Sequence, residues 1–315
     1  MKVIFMGTPD FAVGALQAII DAGHEVTLVV TQPDKSKGRG KEVAFPPVKD
    51  CAIANGIPVF QPVKIKEPDA VEYLRGFEAD IFVVAAFGQI LSQEILDMPR
   101  LGCVNIHASL LPKYRGAAPI QWSILDGEEK TGVTIMQMNA GLDTGDILLV
   151  KEYAIKPTDT GESLFDTLAI LGSQAIVEAL PLLEAGKLTP IPQDNEASTY
   201  AKMLKKDMGR IDWTWDAEKI ERYVRGLNSW PSAYTYLQGK TLKIWESEVV
   251  DSAPGAIDSK KPGTVVAVDK KSIYVACGSR LLKITNLQLE GKKRMDVSAF
   301  LLGFHINPGE VLDEQ

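Results

Sequence analysis

Asn105-Ile106-His107 closes an apolar, strand-like run, and Gly141-Leu142-Asp143-Thr144-Gly145 follows it downstream. A strand alternates its faces with period two, so Asn105 and His107 point the same way. An amide and an imidazole side by side offer one reacting group a hydrogen-bond donor and a proton carrier. Asp143, on a glycine-flanked turn, can bring a carboxylate to that imidazole. Such a set suits transfer at a carbonyl carbon, where an oxygen gains negative charge while a proton moves. The only other histidines are His24, in the turn-like Ala22-Gly23-His24-Glu25, and His305, after Gly303-Phe304. Neither has polar partners at a useful spacing. A plainer reading stands beside the chemical one: a hydrogen-bonded histidine at a strand end, a turn-forming asparagine and an ordinary loop carboxylate.

The elements that position these groups follow from the apolar pattern. Lys2–Met6, Glu25–Thr31, Ala79–Ala86, Gly102–His107 and Gly132–Met138 read as strands, with a helix from Phe11 to Ala22 after the first. Continuous apolar strands alternating with helical segments predict an α/β fold: a Rossmann-like, mostly parallel sheet with helices on both faces. Such sheets bind ligands at the carboxyl ends of their strands, where Asn105, His107 and Phe87-Gly88-Gln89 fall. The first strand runs into Gly7-Thr8-Pro9-Asp10-Phe11, which is not GxGxxG, so a dinucleotide-dependent oxidoreductase is rejected; no Walker lysine motif occurs either. A long helix is expected from Ser163 to Gly186.

The 315 residues suffice for two domains. We read residues 1–188 as the catalytic domain and the polar, proline-bearing 189–206 as a linker. The 207–315 remainder holds a helix over Asp216–Gly226 and short alternating strands at Thr241–Trp245, Thr264–Val268, Ser272–Cys277 and Leu281–Leu289. Asp296 caps a last short helix. That pattern suggests a small β-barrel, OB-like in type. Cys51, Cys103 and Cys277 lack CxxC spacing, against a disulfide framework or a zinc site and in favour of a reducing cytoplasm. No uninterrupted apolar run reaches the roughly 18 residues needed to span a bilayer, and the amino terminus reads as a strand rather than a signal peptide.

The net charge of −7 is uneven. Residues 206–315 hold 16 Lys+Arg against 15 Asp+Glu, and the first 205 hold 18 against 26. Three local basic elements stand out. They are the glycine-bearing Lys35-Ser36-Lys37-Gly38-Arg39-Gly40-Lys41; Lys202, Lys205 and Lys206; and Arg280, Lys283, Lys292, Lys293 and Arg294. Each is by default a solvated surface, and each is also able to attract phosphate.

The chain further resembles the folate-dependent formyltransferases. Asn105-x-His107 with the Asp143 turn is similar to their catalytic triad. The longer wording His107-Ala108-Ser109-Leu110-Leu111-Pro112-Lys113-Tyr114-Arg115-Gly116-Ala117-Ala118-Pro119-Ile120-Gln121 is similar to the members that formylate methionyl-tRNA. So are Thr131 to Met138, Met6-Gly7-Thr8-Pro9-Asp10-Phe11, Thr31-Gln32-Pro33-Asp34 and Arg210-Ile211-Asp212-Trp213. The likeness covers nearly the whole chain in order. One departure is Asn228-Ser229-Trp230-Pro231, where the family usually carries proline in place of Ser229.

The resemblance implies 10-formyltetrahydrofolate as donor, the amino group of methionine on initiator tRNA as acceptor, and no metal. Asn105 and His107 would donate to the oxygen that becomes negative, with Asp143 fixing the imidazole and helping carry the amine's proton away. The folate cleft would be built from Phe87, Gly88, Gln89, Ile90, Ser109, Leu110, Leu111 and Pro112. For tRNA the resemblance implies Arg39 as principal contact, with Lys37, Lys41, Lys206, Lys292, Lys293 and Arg294 in support. A cytoplasmic monomer without a membrane partner is the expectation. The rivals are a formyltransferase for a small amine, a formyltetrahydrofolate hydrolase using the same triad, and a non-enzymatic RNA-binding protein.

Overall fold

The structure is a computed structural model that describes residues 1–36, 43–259 and 261–313. The chain divides into two compact units: Met1–Ile120 with Lys130–Ala154 and Phe165–Lys202, and Gln121–Glu129 with Ile155–Leu164 and Met203–Gln315.

In chain order the elements begin β1 (Lys2–Gly7), α1 (Asp10–Asp21), β2 (Glu25–Val30), β3 (Lys35–Ser36), β4 (Val43–Ala44), α2 (Pro47–Ala54), β5 (Val59–Phe60), α3 (Pro68–Arg75), β6 (Ile81–Ala85) and α4 (Gln93–Leu96). They continue with β7 (Cys103–His107), β8 (Arg115–Gly116), α5 (Pro119–Leu125), β9 (Lys130–Gln137), β10 (Ile147–Ala154), α6 (Gly161–Glu184) and β11 (Tyr200–Ala201). A seven-stranded sheet has the order β10-β9-β7-β6-β1-β2-β5, with the five strands from β7 to β5 parallel. β1 and β6 are buried on both faces, as their uninterrupted apolar sequence requires. Ile4, Met6, Phe82 and Val84 share one cluster with Leu74, Phe87 and Ile95. Each such side chain contributes roughly 1.5–3 kcal/mol by leaving water.

On the other face lies α6. A Cβ added at Gly172 would come within 2.9 Å of Ile106, and Phe165 meets Phe11 edge to face at 5.6 Å. This helix is long and apolar enough to cross a bilayer by length and composition, although it contains charged residues. Its Leu168, Ala175, Ile176, Ala179 and Leu180 are instead buried in the protein.

β9 departs from the parallel expectation: it runs antiparallel to β7, with His107 opposite Thr134 and Asn105 opposite Met136. β10 then returns antiparallel along β9 as the sheet's edge, a strand that its exposed alternation hides from an apolar search. The stretch read as a linker also differs. Ile191 bridges Ile147 in both hydrogen-bonding directions, and β11 pairs with β8, so residues up to Lys202 pack with the first unit. Polar composition did not prevent this, because the backbone of the stretch supplies the pairing.

The second unit continues with a 3₁₀ turn at Lys206–Gly209, α7 (Ala217–Gly226), β12 (Ala233–Leu237), β13 (Lys240–Val250), β14 (Val265–Val268), β15 (Ile273–Ala276), β16 (Leu281–Leu289), β17 (Met295–Asp296) and α8 (Val297–Phe300). Its antiparallel sheet runs β12-β13-β16-β15-β14, with β17 on β16. Among the described residues no ladder joins β12 to β14, so pairing leaves open the barrel that the strand pattern suggests. Ala217, Ile220 and Val224, at helical spacing, pack with Leu242, Ile244, Leu282 and Ile284. Asp296 stands at the start of α8, yet its carboxylate accepts from Asn286 at 2.8 Å and makes no cap to the helix amides.

Candidate active site

Period-two alternation along β7 puts Asn105 and His107 on one face and Ile106 on the other, against α6. The excursion between β9 and β10 folds back to meet that face. Asp143 Oδ1 accepts from Asn105 Nδ2 at 3.4 Å and lies 3.7 Å from His107 Nδ1. Asp143 Oδ2 accepts from the Gly116 amide at 2.9 Å. The side chains of His107 and Asp143 are 6% and 12% exposed, so their mutual field is little screened by water.

The second ring nitrogen of His107, Nε2, lies 2.9 Å from the Tyr114 carbonyl. A carbonyl only accepts, so Nε2 carries a proton and donates it. Nδ1 is therefore the nitrogen left to exchange a proton, and it faces the carboxylate. The Tyr114 carbonyl orients the ring by accepting from Nε2, and Asp143 Oδ1 stands 3.7 Å from the opposite nitrogen.

The segment after β7 is tightly held. Thr134 Oγ1 donates to the Ser109 carbonyl at 2.7 Å and accepts from the Leu111 amide at 3.2 Å. Ser109 Oγ donates to the Lys113 carbonyl at 2.7 Å, and the Tyr114 amide donates to Thr199 Oγ1 at 2.8 Å. The Asp143 turn needs its glycine at Gly145, where a Cβ would fall 1.6 Å from the Gln137 carbonyl oxygen. Asp143 itself has φ 53°, in the left-handed region that Asp tolerates better than most residues.

These distances, in a fold of this topology, bear directly on the chain's relatives. Residues 1–180 match the family model described as formyl transferase, and residues 203–305 match that of the formyl transferase C-terminal domain. The chain belongs to the formyl transferase family. This formyltransferase is 55% identical over 309 residues to the methionyl-tRNA formyltransferase of Agathobacter rectalis, covering 98% of each chain. Its fold is similar to that of an N-formyltransferase from Helicobacter canadensis in complex with folinic acid and dTDP-3-aminofucose. There the TM-score is 0.68 at 17% identity, over 94% of this chain and 100% of that one. It is also similar to HypX from Aquifex aeolicus in complex with tetrahydrofolic acid. That likeness has a TM-score of 0.62 at 20% identity, over 96% of this chain and 47% of that one.

The formyltransferase brings Asn105, His107 and Asp143 together. The residues expected around folate leave the ends of the adjacent parallel strands β6 and β7, where Val84 pairs with Asn105. Their side chains are presented unequally. Ser109, Leu111 and Phe87 are buried, Leu110 and Pro112 half-buried, and Gly88 and Ile90 exposed. Gln89 is occupied by the Ile65 amide at 2.7 Å and the Pro62 carbonyl at 3.1 Å. The Phe87 carbonyl accepts from Thr8 Oγ1 and Gln32 Nε2, which fixes this loop to β1 and β2.

The basic elements fare differently from one another. Lys37, Arg39 and Lys41 lie outside the described residues. Lys206 is exposed on the 3₁₀ turn. Arg280 pairs with Glu218 at 2.6 Å and Asp251 at 2.7 Å, and Lys283 with Glu248 at 2.9 Å, which raises both cations' affinity for their protons. Arg294 pairs with Glu246 at 2.7 Å and lies 5.0 Å from the centre of the Trp245 ring. Lys292 and Lys293 are exposed, with no ion pair among the described residues.

The Tyr114 carbonyl, the Gly116 amide and Gln193 are site components that sequence reasoning did not single out. The two backbone groups have no side-chain signature. Gln193 lay hidden in a polar, proline-bearing run.

Proposed function

We propose that this formyltransferase moves the formyl group of 10-formyltetrahydrofolate to the amino group of methionine on initiator tRNA. The observation that carries the proposal is the meeting of Asn105, His107 and Asp143 at the end of β7, in a chain so similar over its full length to a methionyl-tRNA formyltransferase.

The neutral amine attacks the formyl carbon, and negative charge grows on the formyl oxygen. Asn105 Nδ2 has a second N–H beyond the one directed at Asp143, and it donates to that oxygen. Such a donor typically lowers a barrier by about 2.7–4 kcal/mol. His107, protonated on Nδ1, adds a second donor and is the source of the proton that the departing folate nitrogen needs. Asp143 draws the amine's proton, directly or through water, and balances the imidazolium. Folate binds against Gly88, Ile90, Leu110 and Pro112, with Phe87, Gln89, Ser109 and Leu111 shaping the cleft from within. Glycine at 88 lets a ring edge approach the main chain.

The tRNA is held by Arg39 with Lys37 and Lys41, by Lys206, and by Lys292, Lys293 and Arg294. The enzyme works in the reducing cytoplasm, in keeping with three cysteines that are all free.

The test is transfer of labelled formyl to methionyl-initiator tRNA, with elongator methionyl-tRNA, free methionine and no acceptor as controls. Product on the initiator alone supports the proposal. Folate turnover without an acceptor, and no formylated tRNA, would replace it with a hydrolase.

A further inference from the structure

We infer that Gln193 is a positioning residue for formyl transfer, acting through Asp143; the inference rests on the role just proposed for that carboxylate. In the run from Ile191 to Ala197, Gln193 alone is half-buried, and the rest is exposed. Its amide is fully committed. Nε2 donates to the carbonyl of Asp143 at 2.9 Å and to that of Gly145 at 2.6 Å. Oε1 accepts from Arg115 Nε at 3.1 Å and Arg115 Nη2 at 2.8 Å. Carbonyls on one side demand the NH₂ and a guanidinium on the other demands the oxygen, so a single amide orientation satisfies both.

The two sets of partners matter because both lead to the same carboxylate. On one side the amide grips the turn that carries Asp143 in its left-handed conformation. On the other it fixes Arg115, and the next residue, Gly116, donates its amide to Asp143 Oδ2. Arg115 is further held by Asn195 Oδ1 at 2.8 Å, and the Arg115 amide donates to the Thr199 carbonyl at 2.9 Å. One side chain thus sets both the backbone beneath the carboxylate and the donor that orients it. His107 Nδ1 lies 3.7 Å from Asp143 Oδ1, so a shift of the turn changes that separation directly.

Glutamate at this position would keep Arg115 and lose both donations to the turn. Methionine would lose everything polar while keeping the length. The full chain is therefore assayed as Gln193→Met and Gln193→Glu, each also combined with Asp143→Ala. In both single variants kcat falls roughly ten- to hundredfold, the scale for misplacing a catalytic group by about 1 Å, while KM for folate and tRNA changes little. In the Asp143→Ala background the same substitutions cost nothing further, because the group they position is gone. The ring ¹⁵N shifts of His107, assigned by their loss in His107→Asn, move in both variants, a readout independent of any substrate.

A wild-type kcat in either folded variant would overturn the inference, as would losses that multiply with Asp143→Ala, or His107 shifts that stay put. If Gln193→Met fails to fold, Gln193→Glu decides. If wild-type enzyme formylates no methionyl-tRNA, the proposed function fails, and the His107 shifts still judge Gln193.

Discussion

The strand-end site and the C-terminal sheet both carry charged groups, and they hold them in opposite ways. At the site, His107 and Asp143 are nearly buried, and main-chain groups or neutral amides provide most of their partners: Tyr114 carbonyl, Gly116 amide, Asn105. On the sheet of the second unit, Arg280, Lys283 and Arg294 are partly exposed and neutralised by carboxylates. A buried polar group that loses its partner costs about 1–3 kcal/mol, whereas an exposed ion pair contributes about 0–1 kcal/mol. Geometry is therefore enforced at the site and adjustable on the sheet. The first arrangement suits a reaction that needs fixed geometry, and in the second the carboxylates compete with any anion for the same cations.

The contrast is most directly broken at His107. His107→Ala lowers kcat by about two to four orders of magnitude, the range for a general acid–base group. It also removes the hydrogen bond from Nε2 to the Tyr114 carbonyl, for a stability loss of about 0.5–1.5 kcal/mol in denaturant titrations. A near-normal kcat would mean that the burial serves structure alone.

Gly145→Ala comes next. The added methyl cannot share space with the Gln137 carbonyl, so the Asp143 turn moves. We expect kcat to fall by about a hundredfold, with substrate affinity largely kept. Normal turnover would show that the turn tolerates displacement.

In the turn between β16 and β17, Lys292→Ala with Lys293→Ala weakens tRNA binding and flattens its salt dependence. The slope falls by about 0.9 for each phosphate no longer neutralised, borrowing the duplex-DNA value. The kcat at saturating tRNA stays unchanged. Unaltered binding across a salt titration would remove these lysines from the interface.

Arg294→Ala has the smallest expected effect. Its guanidinium is already engaged by Glu246 and by Asn286 at 2.8 Å. Stability changes by less than about 1 kcal/mol, and the salt slope changes less than in the lysine pair. A larger slope change would mean that Arg294 releases Glu246 to bind phosphate.

Much of this was legible in the chain. The period of two made Asn105 and His107 share a face, and their place at a strand's carboxyl end put them where open α/β sheets bind ligands. The glycine-flanked Asp143 was visible as a turn, and the basic residues were visible as charges. Their pairing was not: Glu218, Glu246, Glu248 and Asp251 become partners only when β13, β16 and α7 assemble. The linker reading erred for a related reason. Polar composition is a guide to solvent exposure, and it says nothing of which backbone groups find a strand to pair with.

What the sequence determined alone was local: strand alternation, apolar cores and the residue types able to hold or move a proton. The tertiary structure decided which histidine nitrogen is free, because that depends on a carbonyl seven residues away, in a segment whose Tyr114 and Arg115 amides donate to Thr199 from a distant stretch of chain. It also decided how Asp143 is aimed, through Gly116 and Gln193. Backbone carbonyls and amides are the same at every position, so only their arrangement in space can make two of them part of a site.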